Sequence, residues 1–421
     1  MTSPIEQTKI KQNGMLTVMT GTFSALKHRN YRLWFTGQLV SLVGTWMQTT
    51  AQGYLIFQLT QSPIYLGYVS FASGLPSWLF TLYAGVIGDR MSRRTLLVIT
   101  QTCMMVLAFI LAGLVFSGTV QAWHILILAF LLGVANAFDA PSRQAFVVEL
   151  VEREDLTNAI ALNGTMFNAA TVVGPAVAGI TYALFGAGWC FSINGLSFLA
   201  VIAALLMMRM KPIEQVIRRS GPILQEIKDG FSYVGSNSTV RMLILNLGVI
   251  SMFGNGLVTL IPDWAVKVLG GDVTTNAALL SFRGAGALVG ALMIATLSRY
   301  GLKGKLWSYG SVVFPVSMMI FAFMRWIPLS LFCVTVVGLS FMLMVNTTNA
   351  LVQTQIPDHL RGRVMGIYTL IFFGGMPLGS LLMGVMANYI GETQVVIISA
   401  IILAVCAFFI WFRRPDLRKL A

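Results

Sequence analysis

Twelve long apolar runs, most of them separated by short polar breaks, fill this chain. Their cores fall at 33–57, 64–87, 95–116, 123–142, 157–185, 189–208, 240–266, 274–298, 306–325, 329–353, 364–389 and 395–412. A helix needs about 20 apolar residues to cross a bilayer, so each run can supply one span. The breaks divide the chain into a polar arm at 1–30, six runs within 31–208, a non-spanning stretch at 209–239, six runs within 240–412, and a tail at 413–421. This pattern predicts an all-α integral membrane protein with twelve transmembrane helices in two six-helix bundles. In the central stretch Ile223, Leu224, Ile227 and Phe231 make one apolar face opposite Gln225, Glu226, Lys228 and Asp229. That spacing suits a helix lying on the membrane surface, with a partly disordered linker as the alternative. The arm at 1–30 holds no long apolar core, so the first span is expected to direct insertion in place of a cleavable leader.

Composition agrees with a bilayer as the solvent. Of 421 residues, 56% are apolar and only 10% charged, more apolar surface than a soluble domain of this size can hide. The net charge of +13 could suggest a nucleic-acid partner, but its placement excludes one. With the N-terminus inside, all 28 Lys and Arg except Lys267, Arg283 and Arg325 fall on the cytoplasmic ends and loops. This is the positive-inside pattern, and it predicts that both termini are cytoplasmic in a multi-pass protein of the cell membrane. Cys103, Cys190, Cys333 and Cys406 lie within apolar runs without paired or ligand spacing, and His28, His124 and His359 are far apart. Neither set suits a metal centre or a catalytic base, and no phosphate-binding Gly-rich loop ends in Lys-Ser/Thr. The expectation is a monomer in the lipid bilayer that handles a small-molecule substrate, with no cofactor, no metal and no enzymatic activity.

The break between the second and third runs reads GVIGDRMSRRTLL, Gly85 to Leu97. Gly85, Gly88, Asp89, Arg90, Arg93, Arg94 and Leu97 fit the signature of the loop between helices 2 and 3 of the major facilitator superfamily, which the chain resembles. Ser92 stands where that signature has a glycine. The resemblance implies a cytoplasmic gate in which Asp89 engages Arg93 and the start of the eleventh span near Arg363. It also implies that Arg93 reaches Asp139 at the end of the fourth span. Asp139 and Arg143 are four apart and can also pair locally on one helix face.

Two further stretches, GTWMQTTAQGYLIFQLT (Gly44 to Thr60) and Val147 to Ile180, resemble the enterobactin-exporter and macrolide-efflux branch. Within the second, Ala170, Gly174, Pro175, Ala178 and Gly179 follow the fifth-helix pattern of antiporters and exporters. Small residues there let two helices approach closely, and Pro175 removes a backbone donor. The resemblance implies alternating access, substrate near the midplane, and efflux driven by a proton gradient. An importer or uniporter of a small polar nutrient, and a membrane sensor on a transporter fold, are the alternatives.

Polar residues inside the spans are the candidate chemistry. Gln38, Thr45, Gln48 and Gln52 share one face of the first span, turned either to a wet cavity or to neighbouring helices as hydrogen-bonding glue. Arg283 is the one charge near the middle of any span. It is expected either to anchor an anionic substrate, with Trp46, Asn168, Asn255 and Thr259 around it, or to pair with Asp263 or with carbonyls freed by Pro262 or Pro315. Asp263, toward the outer end of the seventh span, is the candidate proton carrier.

The halves repeat weakly. An offset of 205 places Gly133 on Gly338, Gly174 on Gly379 and Gly179 on Gly384, and an offset of 210 places Gly74 on Gly284 and GDRMSRRTL on SRYGLKGKL. Likewise PDHLRGR (Pro357 to Arg363) answers EREDLTN in the first half. Parallel six-helix repeats of this kind are related by an axis along the membrane normal.

Overall fold

The computed structural model describes residues 23–210, 223–297, 301–414 and 417–418, without the side chains of 81, 82, 85, 86, 88–90 and 223–227. The described residues form thirteen α-helices. The first half holds α1 (Arg29–Thr60), α2 (Pro63–Arg90), α3 (Arg93–Phe116), α4 (Ala122–Val147), α5 (Leu156–Phe185) and α6 (Ala187–Met207). The connecting helix is α7 (Ile223–Ser236). The second half holds α8 (Ser238–Val268), α9 (Val273–Leu297), α10 (Lys303–Phe323), α11 (Ile327–Gln355), α12 (Arg361–Ile390) and α13 (Glu392–Arg413). Ten of these helices, α3–α6 and α8–α13, are long and apolar enough to cross a membrane. The 32 residues of α1 and 28 of α2 give the length for two more spans; both fall outside that set.

Turn chemistry explains several helix ends. Ser92 caps α3, its hydroxyl accepting from the Thr95 amide at 3.1 Å. Its φ of −62° is one that any residue adopts, so this turn does not need the glycine of the family signature. Gly186 and Gly391 are different: they start α6 and α13 at φ 87° and 88°, where a side chain would be strained.

Those two glycines are 205 apart, and the offsets in the sequence are contacts in the fold. Gly133 of α4 seats on the Ser73 carbonyl of α2, and Gly338 of α11 on the Arg283 carbonyl of α9. Gly174 of α5 lies against Val43 and Trp46 of α1, and Gly379 of α12 against Met252 of α8. The other pairs cross between the halves. Gly179 meets Ala277 while Gly384 meets Gly67, and Gly284 meets Thr171 while Gly74 meets Pro377. Each glycine therefore does the same job twice, and the halves share two matching seams, α2 on α12 and α5 on α9. The motifs EREDLTN and PDHLRGR also correspond: Arg153–Asp155 and Asp358–Leu360 are both 3-10 turns that open into a long helix.

Each half has its own core. Tyr31, Trp34, Leu97 and Phe146 fill part of the first, while Trp264, Phe314, Met318 and Phe321 fill the second. Many large apolar side chains face outward instead, among them Leu184, Phe332, Val405 and Phe408, each over 60% exposed. That suits lipid as their surroundings.

Among the described residues, close approaches between the halves run from the end remote from the chain termini (the far end) to mid-helix. Ser62 Oγ donates to Asn388 Oδ1 at 2.8 Å, and a Cβ on Gly67 would lie 2.9 Å from the Ser380 carbonyl. Deeper, Pro377 covers Gly74 and the Trp78 indole covers Gly374. The molecule is shut at its far end. At the near end α7 rests on the second half, where Gly230 meets Arg363 and Ile367 and Tyr233 Oη donates to the Gln355 carbonyl. The apolar positions 223, 224 and 227 lie outside the described side chains, and Phe231 is 51% exposed.

Candidate transport pathway

The mid-span arginine is built into the seam between α5, α8, α9 and α11. On α9, Gly284 fits beneath the Thr171 carbonyl, while Gly286 and Gly290 fit against the Thr335 and Leu339 carbonyls. These small residues bring three backbones together at the level of Arg283. Arg283 Nη2 donates to Asn255 Oδ1 at 3.4 Å, and its guanidinium carbon lies 5.6 Å from the centre of the Phe341 ring. No carboxylate is within ion-pair distance of it among the described residues. The alternative pairing with Asp263 is therefore not formed, because Asp263 is engaged by Lys267 one turn along α8, Nζ to Oδ1 at 2.8 Å. The interior supplies an amide and a π face, both weaker partners for a cation than an anion would be.

Helix α8 is irregular where it meets this site. Ile250–Gly254 is a π-helical turn ending just before Asn255, and Trp264–Val268 is a second beginning just after Asp263. A π turn shifts the register of the side chains that follow, and such turns frequently sit at functional sites. Thr259, one turn beyond Asn255, donates to Ser380 Oγ of α12 at 2.8 Å.

The amides of α1 do not act as one stripe. Gln48 is 4% exposed and accepts from Asn194 Nδ2 of α6 at 2.7 Å, so it joins two helices of one bundle. Gln38 and Gln52 are also buried, at 1% and 8%. Gln48 is thus satisfied by another amide, whereas Gln38 Nε2 is buried without a hydrogen-bond partner among the described residues. Thr45 turns back to the Ser41 carbonyl and Asn168 to the Gly164 carbonyl, both half-buried. Trp46 lies edge-on to Phe167, ring centres 5.8 Å apart, and against Gly174. Ala170, Gly174, Pro175 and Gly179 are all buried. Gly174 packs α5 on α1 and Gly179 packs it on α9, so one run of small residues serves both seams.

The residues expected to form a gate take up near-end positions. Gly85, Asp89 and Arg90 end α2 and lie outside the described side chains. Arg93 pairs with Glu149 at 2.6 Å and donates to the Ala145 carbonyl, and Arg94 donates to the Leu206 carbonyl. Burial pushes the Glu149 carboxyl above the usual carboxylate range, against the pull of Arg93. Asp139, 1% exposed, accepts from Thr100 Oγ1 and Gln101 Nε2, each at 2.9 Å, with Arg143 Nε at 3.7 Å. The expected Arg93–Asp139 contact is not formed in this structure, and Arg93 pairs with Glu149. Arg363 pairs with Asp229 of α7 at 2.8 Å. Position 299, the counterpart of Asp89, lies outside the described residues.

A family model described as "transmembrane secretion effector", of the major facilitator superfamily, matches residues 20–420. The chain belongs to that family. It is 26% identical to the staphyloferrin A transporter of Staphylococcus aureus over 90% of this chain and 96% of that protein. It is 24% identical to macrolide efflux protein A of Streptococcus pyogenes over 94% of this chain and 99% of that protein. Among solved structures, a variant of the nucleoside transporter NupG superimposes with a TM-score of 0.74 at 16% identity, covering 92% of this chain and 99% of that one. The protein is a multi-pass membrane transporter of the major facilitator type, and not an enzyme.

For a member of this superfamily, several partners found here had weak signals in the sequence or none. Lys267 at i+4 from Asp263 was legible as a helical pair. Phe341, Asn194 and the Thr100–Gln101 pair come from other helices and Glu149 from the turn after α4, and nothing in a single sequence marks them. The π turns carried no local signal either.

Proposed function

We propose that this transporter exports an amphipathic or anionic small molecule by alternating access, with Arg283 as the substrate anchor. The observation that carries this is a mid-span guanidinium whose described partners are only Asn255 and Phe341. A charged side chain inside a bilayer is costly, about 2.5–3.5 kcal/mol on the mildest insertion scale, and is kept where it serves a pathway. In this reading half-buried Trp46, Asn168 and Thr259 add a stacking face and further polar contacts. Export, as against import, is supported by the fifth-helix run and by a relative named as a macrolide efflux protein. In this reading α1 and α2 complete twelve spans, both termini are cytoplasmic, the far end faces outside, and a monomer is the working unit. Coupling is to protons, with Asp263 as carrier. The near-end gate of Asp89, Arg93, Asp139 and Arg363 closes in the opposite state, and Arg93 leaves Glu149 to do so.

Binding of candidate anionic and neutral compounds to the purified protein tests the anchor. Arg283→Gln should weaken an anionic ligand about 10- to 100-fold, the loss of one charge-assisted contact. Equal affinity in wild type and variant would reject the assignment.

A further inference from the structure

In the first half a cleft of about 460 Å³ lies where α1 packs on α6, with α5 alongside. Val40, Val43 and Met47 of α1 line one wall, and Ile193, Leu196 and Ala200 of α6 the other. The two helices touch where their residues are small. A Cβ on Gly37 would lie 3.1 Å from the Ala200 carbonyl, and one on Gly44 would meet Ser197 and Asn194. Val40, Ile193 and Leu196 are exposed, and α6 packs chiefly on α1 and α3. The cleft is therefore on the flank of the first bundle, away from both seams with the second half. Its one polar side chain, Ser197, donates to the Asn194 carbonyl of its own helix at 2.8 Å. An occupant meets an apolar wall.

The near-end mouth of this cleft is cationic. Arg29, Arg32 and Thr36 continue the α1 face of Val40, Val43 and Met47, one turn apart. Arg209, just past α6, is held at the same corner by Asn30, which donates to its carbonyl at 2.9 Å and accepts from its amide at 3.2 Å. All three arginines are exposed, and among the described residues none is in an ion pair. Asp155, the acid that opens α5, is taken by Lys27 and His28 at 2.7 and 2.8 Å. Depth fits as well. Val43 lies about 16 Å of helix beyond Arg32, close to half of a hydrocarbon core about 30 Å thick. The cations thus sit at headgroup level of the near leaflet, and the cleft where an acyl chain runs.

We propose that this cleft binds one anionic phospholipid of the near leaflet, with an acyl chain between α1 and α6 and the headgroup on Arg29, Arg32 and Arg209. Guanidinium forks pair with phosphate oxygens bidentately, and their apolar stems lie along the helix beneath the headgroup. Basic residues at this level also attract anionic lipid through the bilayer surface potential. Each half of the site selects. A zwitterionic lipid fills the cleft but brings its own cation to the rim, and a free phosphate gains the rim but nothing from the cleft. The site is separate from the pathway around Arg283. It depends on α1 crossing the bilayer beside α6, and not on the direction of transport.

The full chain in phosphatidylcholine nanodiscs tests this without any substrate, so a failure of the export reading leaves the result interpretable. A trace of phosphatidylglycerol with a diazirine midway along one acyl chain is photolysed, and labelled peptides are located by mass spectrometry. In wild type the label should fall on the α1 and α6 peptides that line the cleft. A phosphatidylcholine probe with the same diazirine should label them at least about 10-fold less. Arg29→Gln, Arg32→Gln and Arg209→Gln should each cost about 5-fold in phosphatidylglycerol labelling, and together bring it to the phosphatidylcholine level. Val40→Trp, which fills the cleft from an exposed position, should remove the label while the rim stays intact. Arg413→Gln, the loss of an exposed near-end charge at the end of α13, should change nothing. Glycerol 3-phosphate in large excess should not compete. Equal labelling by the two probes, as bulk lipid alone would give, would overturn the proposal. So would competition by glycerol 3-phosphate, which would make the rim a site for a free phosphate, or no label on these peptides, as when another protein chain covers the cleft.

Discussion

Arg283 Nη2 donates to Asn255 Oδ1 across the α8–α9 seam at 3.4 Å, a long contact for the one charge at mid-span. The pair offers a direct manipulation. Asn255→Asp would place a carboxylate where the amide stands and neutralise the guanidinium from within. An anionic ligand should then bind about 10- to 100-fold more weakly, as in Arg283→Gln, while the folded yield is kept or raised. Arg283→Lys should recover only part of the affinity, because an ammonium lacks the planar fork. Affinities by titration calorimetry, beside yields after detergent extraction, separate these outcomes.

Gly174 leaves no room for a side chain, since a Cβ there would lie 2.9 Å from the Val43 carbonyl and nearer still to Trp46. Gly174→Leu should push α5 off α1 and disturb the shut far end through Gly179 and Ala277. The expected phenotype is a leak, read as loss of a maintained substrate gradient in cells that still carry the protein in the membrane. Gly164, with nothing within 4 Å of its would-be Cβ, is the control: Gly164→Ala should keep the gradient.

At the near end, Arg93 is held by Glu149 in this state. Glu149→Gln frees the arginine and should bias the protein toward near-end closure by about 1–3 kcal/mol. Asp89→Asn should bias it the opposite way and transport poorly at normal membrane levels. Alkylation rates of single cysteines placed along α5 and α11 measure both shifts. Equal rates in the two variants would remove the gate from the account.

Most of the architecture was legible because a bilayer imposes long apolar runs, short turns and a side-dependent charge. The repeat offsets were legible as well, and the reason is now physical. Gly133 and Gly338 recur because each must clear a carbonyl on the neighbouring helix. What the chain did not disclose is the partner of each buried polar group. Gln48 lies on the same α1 face as Thr45, yet it is occupied by Asn194, a choice that depends on how α6 is rotated. The π turns of α8 likewise arise from packing and leave no periodic trace. They set where Asn255 points, and hence what Arg283 can reach.

Asp272 caps α9, accepting from the Thr274 and Thr275 amides at 2.9 and 3.3 Å. The Thr274 hydroxyl and these amides hold its carboxyl below the usual range. A depressed acid contributes stability above its unfolded value, about pH 4, and loses it as pH falls through the lower folded value. Asp272→Ala should therefore cost about 1 kcal/mol at neutral pH and nothing further once the wild-type acid is protonated. Thermal melts of both proteins across that range check it, with convergence expected at the acid end.

Uptake into inside-out membrane vesicles addresses the central claim most directly. An anionic, amphipathic compound that binds the purified wild type should accumulate inside such vesicles against its gradient when their interior is acid. Collapse of the proton gradient should stop accumulation, and Arg283→Gln should reduce it about 10-fold or more at sub-saturating concentration. Accumulation of the same compound only in right-side-out vesicles, or undiminished accumulation by Arg283→Gln, would contradict an exporter anchored on Arg283.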